Sequence, residues 1–117
     1  MKRGNNQSRI IGCLAESPDI QRTEGGYAMA RIIVEIPRTW KDRQNRIHKD
    51  YDVVPCLLKG RDAENAEGRL RKGSSVLAEG HLVTRTYRDD KGNQVSTTEL
   101  LVEKIVYLTG MQEPHRE

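Results

Sequence analysis

Residues 71–92 carry the sequence RKGSSVLAEGHLVTRTYRDDKG, which opens on a basic turn and ends on Asp-Asp-Lys-Gly, a composition typical of a β-hairpin turn. Between the turns, alternation with period two divides the residues between the two faces of a strand. One face is small and apolar enough for a tightly curved core and holds Val76, Ala78, Gly80, Leu82 and Thr84. The other face holds Leu77, Glu79, His81, Val83, Arg85 and Tyr87. Its last two members place a guanidinium beside a ring, which suits a phosphate with a neighbouring base. The strand taken alone favours the alternative, a solvated strand face.

The whole chain is 117 residues long, which suits one domain with a single core. Hydrophobic residues make up 35% of it and charged residues 32%, so we expect a compact core under a surface dense in charge. The net charge of +3 favours anionic partners, although 17 acidic residues accompany 20 basic ones. Phenylalanine is absent, so the position of each ring is informative. The rings are Trp40, Tyr27, Tyr51, Tyr87 and Tyr107.

Two features argue against a membrane or exported protein. The basic N-terminus, MKRGNNQSR, precedes an apolar run too short for a signal peptide or a membrane span, so we expect no membrane partner and a cytoplasmic location. Cys13 and Cys56 lie far apart without metal-ligand spacing, which favours free thiols in a reducing cytosol. A disulfide between them is the alternative.

Catalysis has little support in the sequence. His48, Asp50 and Asp52 alternate on one strand face and could ligate a metal or transfer protons, but no second cluster completes a site. We interpret them as a solvated edge. The chain also has no Ser/His/Asp arrangement and no phosphate-binding loop. The sequence therefore predicts no enzyme, no metal site and no cofactor.

The first part of the chain alternates in two segments bounded by turns. Residues 9–14 (RIIGCL) predict a strand in which Gly12 marks a bulge or a sharp bend. Residues 27–37 (YAMARIIVEIP) predict a second strand. Its inward face holds Ala30, Ile32, Val34 and Ile36. Turns are predicted at residues 16–19 and 24–26.

A basic segment separates the second strand from the third. Residues 39–49 (TWKDRQNRIHK) surround a turn and predict a projecting hairpin or a long loop. Residues 51–59 (YDVVPCLLK) predict the third strand, in which Pro55 requires an edge or a non-bonding ladder position. The inward residues of that strand are Val54, Cys56 and Leu58.

Strand formers then give way to helical spacing. Residues 61–70 (RDAENAEGRL) predict one short helix that ends near Gly73. Its apolar positions are Ala63, Ala66 and Leu70. Residues 95–108 (VSTTELLVEKIVYL) predict a last long strand, paired by a hairpin with the strand in residues 71–92. The order predicts an all-β, five-stranded OB-fold Greek-key barrel with one short α-helix between the third and fourth strands and a protruding hairpin. A small β-sandwich is the structural alternative.

Six segments in this order resemble the bacterial single-stranded DNA-binding protein family, from residue 9 to about residue 109. RIIGCLAESPDI is similar to the opening strand of the family, GGYAMARIIVEI to its glycine turn and second strand, and TWK to the place of a tryptophan. VVPCLLKGRDAENA, RLRKGSSVLAEGHLVTRTYRDDKGN and TTELLVEKIVYL are similar to the rest of the family pattern.

The resemblance implies an OB barrel that coats single-stranded DNA without sequence preference, in replication, recombination or repair. It also implies a homo-oligomer, with a homotetramer favoured and a dimer as the alternative. Such proteins combine a basic groove with aromatic rings that stack on bases. The nucleic-acid-binding residues implied here are Trp40, Tyr87, Arg9, Arg31, Lys41, Arg43, Lys49, Lys59, Arg61, Arg71, Lys72 and Arg85.

The sequence departs from the family at four positions where rings are common. Val53 and Lys59 occupy outward positions that often carry aromatics, and Arg22 and Arg69 stand where tyrosine is common. At three of these positions a cation replaces a ring. We therefore hypothesise that binding depends more on charge, and less on stacking, than in typical members. Its affinity should then fall steeply with salt.

The ends of the chain are predicted to lie outside the folded domain. The expected domain covers residues 9–109, with a disordered tail at residues 1–8 and a short polar tail at residues 110–117. Family members usually continue into a Gly/Pro/Gln-rich linker and an acidic tip that recruits other enzymes. MQEPHRE, at residues 111–117, contains no such tip. We expect either a truncated chain or a short member that recruits no partner by that route, located in the cytoplasm at the nucleoid.

Two other functions remain as alternatives. An accessory OB protein of the primosomal replication protein B type has a similar length and would be a dimer. An oligosaccharide-binding or protein-docking OB module is also consistent with the fold, because a fold does not determine a function.

Overall fold

A computed structural model describes residues 3–108 and contains six strands and one helix. The elements are β1 (Ser8–Leu14), β2 (Asp19–Arg22), β3 (Ala28–Lys41), β4 (Ile47–Lys59), α1 (Arg61–Arg69), β5 (Ser75–Arg88) and β6 (Gln94–Leu108). The hydrogen-bonded order β1-β5-β6-β4-β3 returns to β1 through a β1–β3 pairing, so five strands close a barrel. The predicted five-stranded barrel with one helix after its third strand is confirmed, and the sandwich alternative is wrong.

The sequence did not predict β2. Only turns were expected between the first two barrel strands, yet Asp19–Arg22 pairs along β3 from Asp19 opposite Arg31 to Arg22 opposite Ala28. This strand has four residues, of which only Ile20 is apolar, so it is too short to display a period of two.

The core lies inside the barrel and comes from alternate residues of each strand. The β3 residues Ala30, Ile32 and Val34 are buried, as predicted, and Ile36 packs against them. Ala28, which the sequence did not single out, is buried as well. Buried residues of the other strands are Leu14, Cys56, Leu58, Val76, Ala78, Leu100 and Val102. The helix adds Ala63 and Ala66, followed by Leu70, which confirms the apolar face predicted for it.

The predicted inward face of β5 is right for its first half and wrong for its second. Val76 and Ala78 are fully buried, whereas Leu82 is 43% exposed and Thr84 is also exposed. A bulge interrupts the pairing with β6 between Glu79 and Gly80, and β1 begins at Ser8, opposite Gly80, so the rest of β5 is paired only with β6. Side chains after the bulge therefore have no barrel interior to enter.

Two glycines allow backbones to approach closely. A Cβ on Gly80 would overlap the carbonyl oxygen of Leu101 in β6, and a Cβ on Gly12 would overlap that of Glu35 in β3. The register of β1 with β5 runs unbroken through Gly12, so β1 has no bulge there, and the alternative, a sharp bend, stays a prediction. The glycine is required where the strand changes partner, with Cys13 opposite Glu35.

Replacing Gly80 with Ala should destabilise the barrel by about 1–3 kcal/mol, because the overlap is with backbone that cannot rotate away. Urea unfolding followed by circular dichroism measures the change. Gly68→Ala is the matched control, since its Cβ would meet nothing within 4 Å and Ala favours helix by about 0.5–1 kcal/mol. A G80A variant as stable as the parent would contradict this packing.

The segment between the second and third barrel strands is a projecting hairpin, which settles the choice that the sequence left between a hairpin and a loop. β3 and β4 extend to Lys41 and Ile47, with Trp40 opposite His48. β4 lies between β3 and β6, so it is not an edge strand. The pairing of β4 with β6 begins at Cys56, one residue after Pro55, so Pro55 lies outside that ladder.

Cys13 and Cys56 do not form a disulfide, as expected. The Sγ atom of Cys13 lies 3.3 Å from the Oγ atom of Ser75. Cys56 lies in the core, and its burial raises the pKa of its thiol to about 12, with the charge of Glu99 adding to the effect.

The chain preceding β1 contacts β5. The side chain of Asn6 donates to the Leu82 carbonyl at 2.8 Å and accepts from the Leu82 amide at 2.9 Å. The predicted boundaries of the domain stay a prediction. Residues 1–2 and 109–117, which include the predicted polar tail, lie outside the described residues. Within residues 3–108, no helix has the length and apolar character needed to cross a membrane.

Candidate nucleic-acid interface

A groove of about 560 Å³ crosses the outer faces of the strands from β2 to β5. Most lining residues of β3, β4 and β6 alternate with core residues along the same strands, so they point away from the barrel interior; Ala30 belongs to both sets. The apolar part of the lining is Met29, Ile33, Pro55 and Leu57. The charged and aromatic part is Asp19, Arg31, Arg85, Glu99 and Tyr87. The groove therefore offers cations, an exposed ring and apolar surface in one concavity.

Two arginines share one buried carboxylate in this groove. The Nη2 atom of Arg31 lies 3.2 Å from both carboxylate oxygens of Glu99, and the Nη1 atom of Arg85 lies 3.3 Å from its Oε1 atom. Glu99 is only 3% exposed, whereas the arginine side chains are 45% and 54% exposed. The pair of arginines compensates the buried charge, and their remaining N–H groups can donate to another anion.

Arg85 and Tyr87 share the groove, as the alternation of β5 predicts for one exposed face. Tyr87 is 51% exposed and lies opposite Val95 in the hairpin of β5 and β6. Because the bulge precedes both residues, they leave the barrel together and keep their common face.

The hairpin of β3 and β4 presents the tryptophan. Trp40 is 44% exposed, and the ring of His48 stacks on it with centroids 4.3 Å apart and an interplanar angle of 16°. His48 therefore supports the indole and leaves much of it accessible to solvent. Stacking of this kind restrains a ring before any ligand arrives.

Asp42 organises the turn of that hairpin. Its Oδ1 atom accepts from the amides of Gln44 and Arg46 at 2.9 Å each, and its Oδ2 atom lies 2.9 Å from Nε2 of His48. These hydrogen bonds, that of His48 first, hold the pKa of Asp42 below its usual value. The turn is thereby held by one carboxylate, with Asn45 in the left-handed region at φ 66°.

The group formed by His48, Asp50 and Asp52 belongs to ion pairs of the hairpin. Arg38 lies 3.7 Å from Asp50 and 3.2 Å from Asp52, while His48 pairs with Asp42. No cluster suited to a metal ion occurs in the part of the chain that the structure describes.

The other predicted cations fall into three places. Lys41, Arg43 and Lys49 are exposed on the hairpin that carries Trp40. Lys59 and Arg61 are exposed on either side of Gly60, at the start of α1, and Arg71 and Lys72 are exposed in the turn before β5. These cations lie outside the lining of the groove.

Arg9 is not brought to the groove. It pairs with Glu79 at 3.3 Å and lines a second depression with Lys104, whose lining shares no residue with the groove. Among the predicted binding residues, only Arg31, Arg85 and Tyr87 line the groove itself. Trp40 and three cations form a second group on the hairpin.

Of the positions that depart from the family, two face outward as expected: Val53 is 56% exposed and Lys59 is exposed. Arg22 pairs with Glu67 at 2.8 Å, which raises the pKa of Arg22 and lowers that of Glu67. Arg69 places its guanidinium 4.5 Å from the ring centroid of Tyr107. Two of the three cations that replace rings, Arg22 and Arg69, are thus in contact with side chains of the protein itself.

The sequence did not predict the apolar lining of the groove or four of its polar residues, Asp19, Gln21, Thr97 and Glu99. Glu99 is the buried one among these four. Alternation along β6 could have predicted that Glu99 faces outward, because Thr97 and Glu99 lie on the face opposite to the buried Leu100 and Val102. What the sequence could not provide is the approach of β3 and β5, which brings both arginines to the same carboxylate.

The model of the Single-strand binding protein family matches residues 5–108, nearly the whole chain. The chain belongs to that family. It is 33% identical over 103 residues to Single-stranded DNA-binding protein B of Bacillus subtilis, covering 88% of this chain and 89% of that protein. It is 32% identical to Single-stranded DNA-binding protein 2 of Listeria innocua, again over 88% of this chain, but spans only 64% of that relative.

Two solved structures of single-strand binding proteins share the fold of this family member. A deletion mutant of the single-stranded DNA binding protein from Thermus aquaticus has a TM-score of 0.81 at 30% identity, covering 94% of this chain and 53% of that one. The Plasmodium falciparum SSB complex with ssDNA has a TM-score of 0.84 at 23% identity, covering 92% and 98% of the two chains. Both confirm the OB barrel predicted from the order of elements.

Proposed function

We propose that this protein binds and coats single-stranded DNA without sequence preference, in replication, recombination or repair. The observation that carries the proposal is the meeting of Arg31, Arg85 and Tyr87 in one outer groove of a barrel that belongs to this family. The protein would act by binding alone, with no catalytic group, metal or cofactor.

The chemistry of the groove suits a flexible single strand. Guanidinium N–H groups of Arg31 and Arg85 would donate to a phosphate, and the exposed face of Tyr87 would stack on a neighbouring base. Stacking tolerates every base because every base has a π-face, so such a groove binds without selecting a sequence. A duplex keeps its bases stacked on one another and offers no free base to the ring.

The hairpin of β3 and β4 would extend this binding surface. Trp40 provides a second ring, backed by His48, and Lys41, Arg43 and Lys49 add exposed positive charge to the same hairpin. Only these two rings are proposed to stack, so phosphate contacts by cations would supply much of the affinity. This supports a steep dependence on salt.

Trp40 fluorescence tests the proposal because Trp40 is the only tryptophan of the chain. Poly-dT should quench the fluorescence in a saturable manner, and duplex DNA of equal phosphate concentration should not. Equal quenching by both, or quenching by neither, would favour one of the other roles open to an OB fold, such as oligosaccharide or protein binding.

We also propose that the protein is a homotetramer of 13.3 kDa chains. An apolar strip supports self-association, since Ile11 is 48% and Val106 37% exposed on either side of Leu77, which is buried outside the core cluster. The number of four copies rests on the family resemblance. A second copy would cover that strip. Sedimentation equilibrium decides the question, and a dimer would favour the primosomal alternative, which the family match does not favour.

A cytoplasmic location, at the nucleoid, belongs to the same proposal. Cys13 and Cys56 do not form a disulfide, which is the usual state of cysteines in a reducing compartment.

A further inference from the structure

Glu99 is an anion inside the surface that is proposed to bind an anionic polymer. It is 3% exposed, and its neighbour Leu100 is fully buried in the barrel on the opposite face of β6. The carboxylate therefore points into the groove rather than into the core. A buried carboxylate is destabilising unless it is paired, and its partners here are the two groove arginines.

The charges in this cluster do not cancel. Arg31 and Arg85 carry one positive charge each and Glu99 one negative charge, so the three side chains together hold a single net positive charge. The carboxylate occupies the same type of donor, the guanidinium N–H, that a phosphate would use.

The groove lining also holds Asp19, which is exposed and lies opposite Arg31. We propose that Glu99 is an internal counter-anion that withholds part of the charge of Arg31 and Arg85 from DNA, so that this three-residue cluster neutralises one phosphate where its two arginines could neutralise more. This inference rests on the function proposed above. Its consequence is a limit on affinity: the groove releases and rebinds the strand more readily than two unpaired arginines would allow. Glu99 thereby sets how strongly this part of the surface responds to salt.

Glu99→Gln tests the proposal, because Gln keeps the length and a carbonyl acceptor but removes the charge. The variant should bind poly-dT about two- to fivefold more tightly at low salt, as expected for one more exposed charge contact. The log–log plot of affinity against salt should steepen by about 0.7, the value for one further phosphate of a single strand. Circular dichroism establishes that the variant is folded.

Glu67→Gln is the matched control, since Glu67 pairs with Arg22 at 2.8 Å and neither residue lines the groove. It makes the same change in net charge and should leave the slope unchanged. An E67Q slope as steep as that of E99Q would overturn the proposal, because the effect would then come from net charge. An unchanged slope in folded E99Q would overturn it as well.

A charge-rescue variant keeps the proposal testable if E99Q folds poorly. Arg31→Gln should reduce the slope by about 0.7, and R31Q combined with E99Q should restore the parent slope, because Arg85 is then freed from its internal partner. If Glu99 only positions the arginines, the double variant binds no better than R31Q, and the proposal is overturned. A parent protein that fails to bind poly-dT would instead refute the proposed function.

Discussion

Tyr87→Ala is expected to weaken poly-dT binding by about 5- to 150-fold, corresponding to the ~1–3 kcal/mol that stacking on one base contributes. The reason is the small number of rings. Tyr87 is the only aromatic residue in the groove lining and is 51% exposed, so no neighbouring ring of the groove can take its place. Fluorescence quenching of Trp40 measures the affinity, since this variant retains the tryptophan.

Two further variants test whether the loss of affinity in Y87A comes from base stacking in the groove. Tyr87→Phe keeps the π-face and should bind within a few-fold of the parent if stacking dominates. Tyr27→Ala removes a tyrosine of equal exposure, 50%, that lies against Gly60 outside the groove, and should bind as the parent does. Equal binding by Y87A and Y27A would refute the role of Tyr87.

Trp40→Ala is the second variant with a large expected effect, again a loss of about 5- to 150-fold in affinity for poly-dT. Its indole is 44% exposed and is held from one side by His48, so a base can stack on a ring that is already in place. Because this change removes the only tryptophan, the measurement uses the anisotropy of a fluorescently labelled oligo-dT.

Ile47→Ala is the control for the hairpin. Ile47 lies opposite Lys41 in the same hairpin and is 62% exposed, so its truncation removes apolar surface without removing a ring. We expect little change in affinity. A W40A variant that binds as tightly as the parent would show that the hairpin contributes charge alone, through Lys41, Arg43 and Lys49.

Alternation correctly predicts which side chains are buried wherever a strand has the barrel interior on one side. The predicted inward residues of β3 and the predicted apolar face of the helix at Ala63 and Ala66 are confirmed, because each element keeps the same face towards the core along its length. The failures occur where the environment changes along a strand. Leu82 is exposed because it lies beyond the bulge at Gly80 and beyond the first residue of β1, where β5 no longer borders the barrel interior. β2 was missed because a four-residue strand has too few alternations to detect.

The site was predictable to the extent that it depends on one strand. Arg85 and Tyr87 are two residues apart on β5, so period two places them on one face whatever the rest of the chain does. The pairing of Arg31 and Arg85 with Glu99 depends on three strands, and no local pattern contains it. The family resemblance implied that Arg9 binds nucleic acid, whereas in the barrel Arg9 forms an ion pair with Glu79 and lies away from the groove.

The salt dependence of poly-dT binding, followed by Trp40 fluorescence, tests the central claim most directly. If exposed cations supply most of the affinity, the log–log slope should be about −3 or steeper, since each of about four or more phosphates contributes about −0.7. Binding should then be largely lost at high salt. A slope shallower than about −1, with affinity that survives high salt, would contradict a charge-dominated interface and assign the binding to Trp40 and Tyr87.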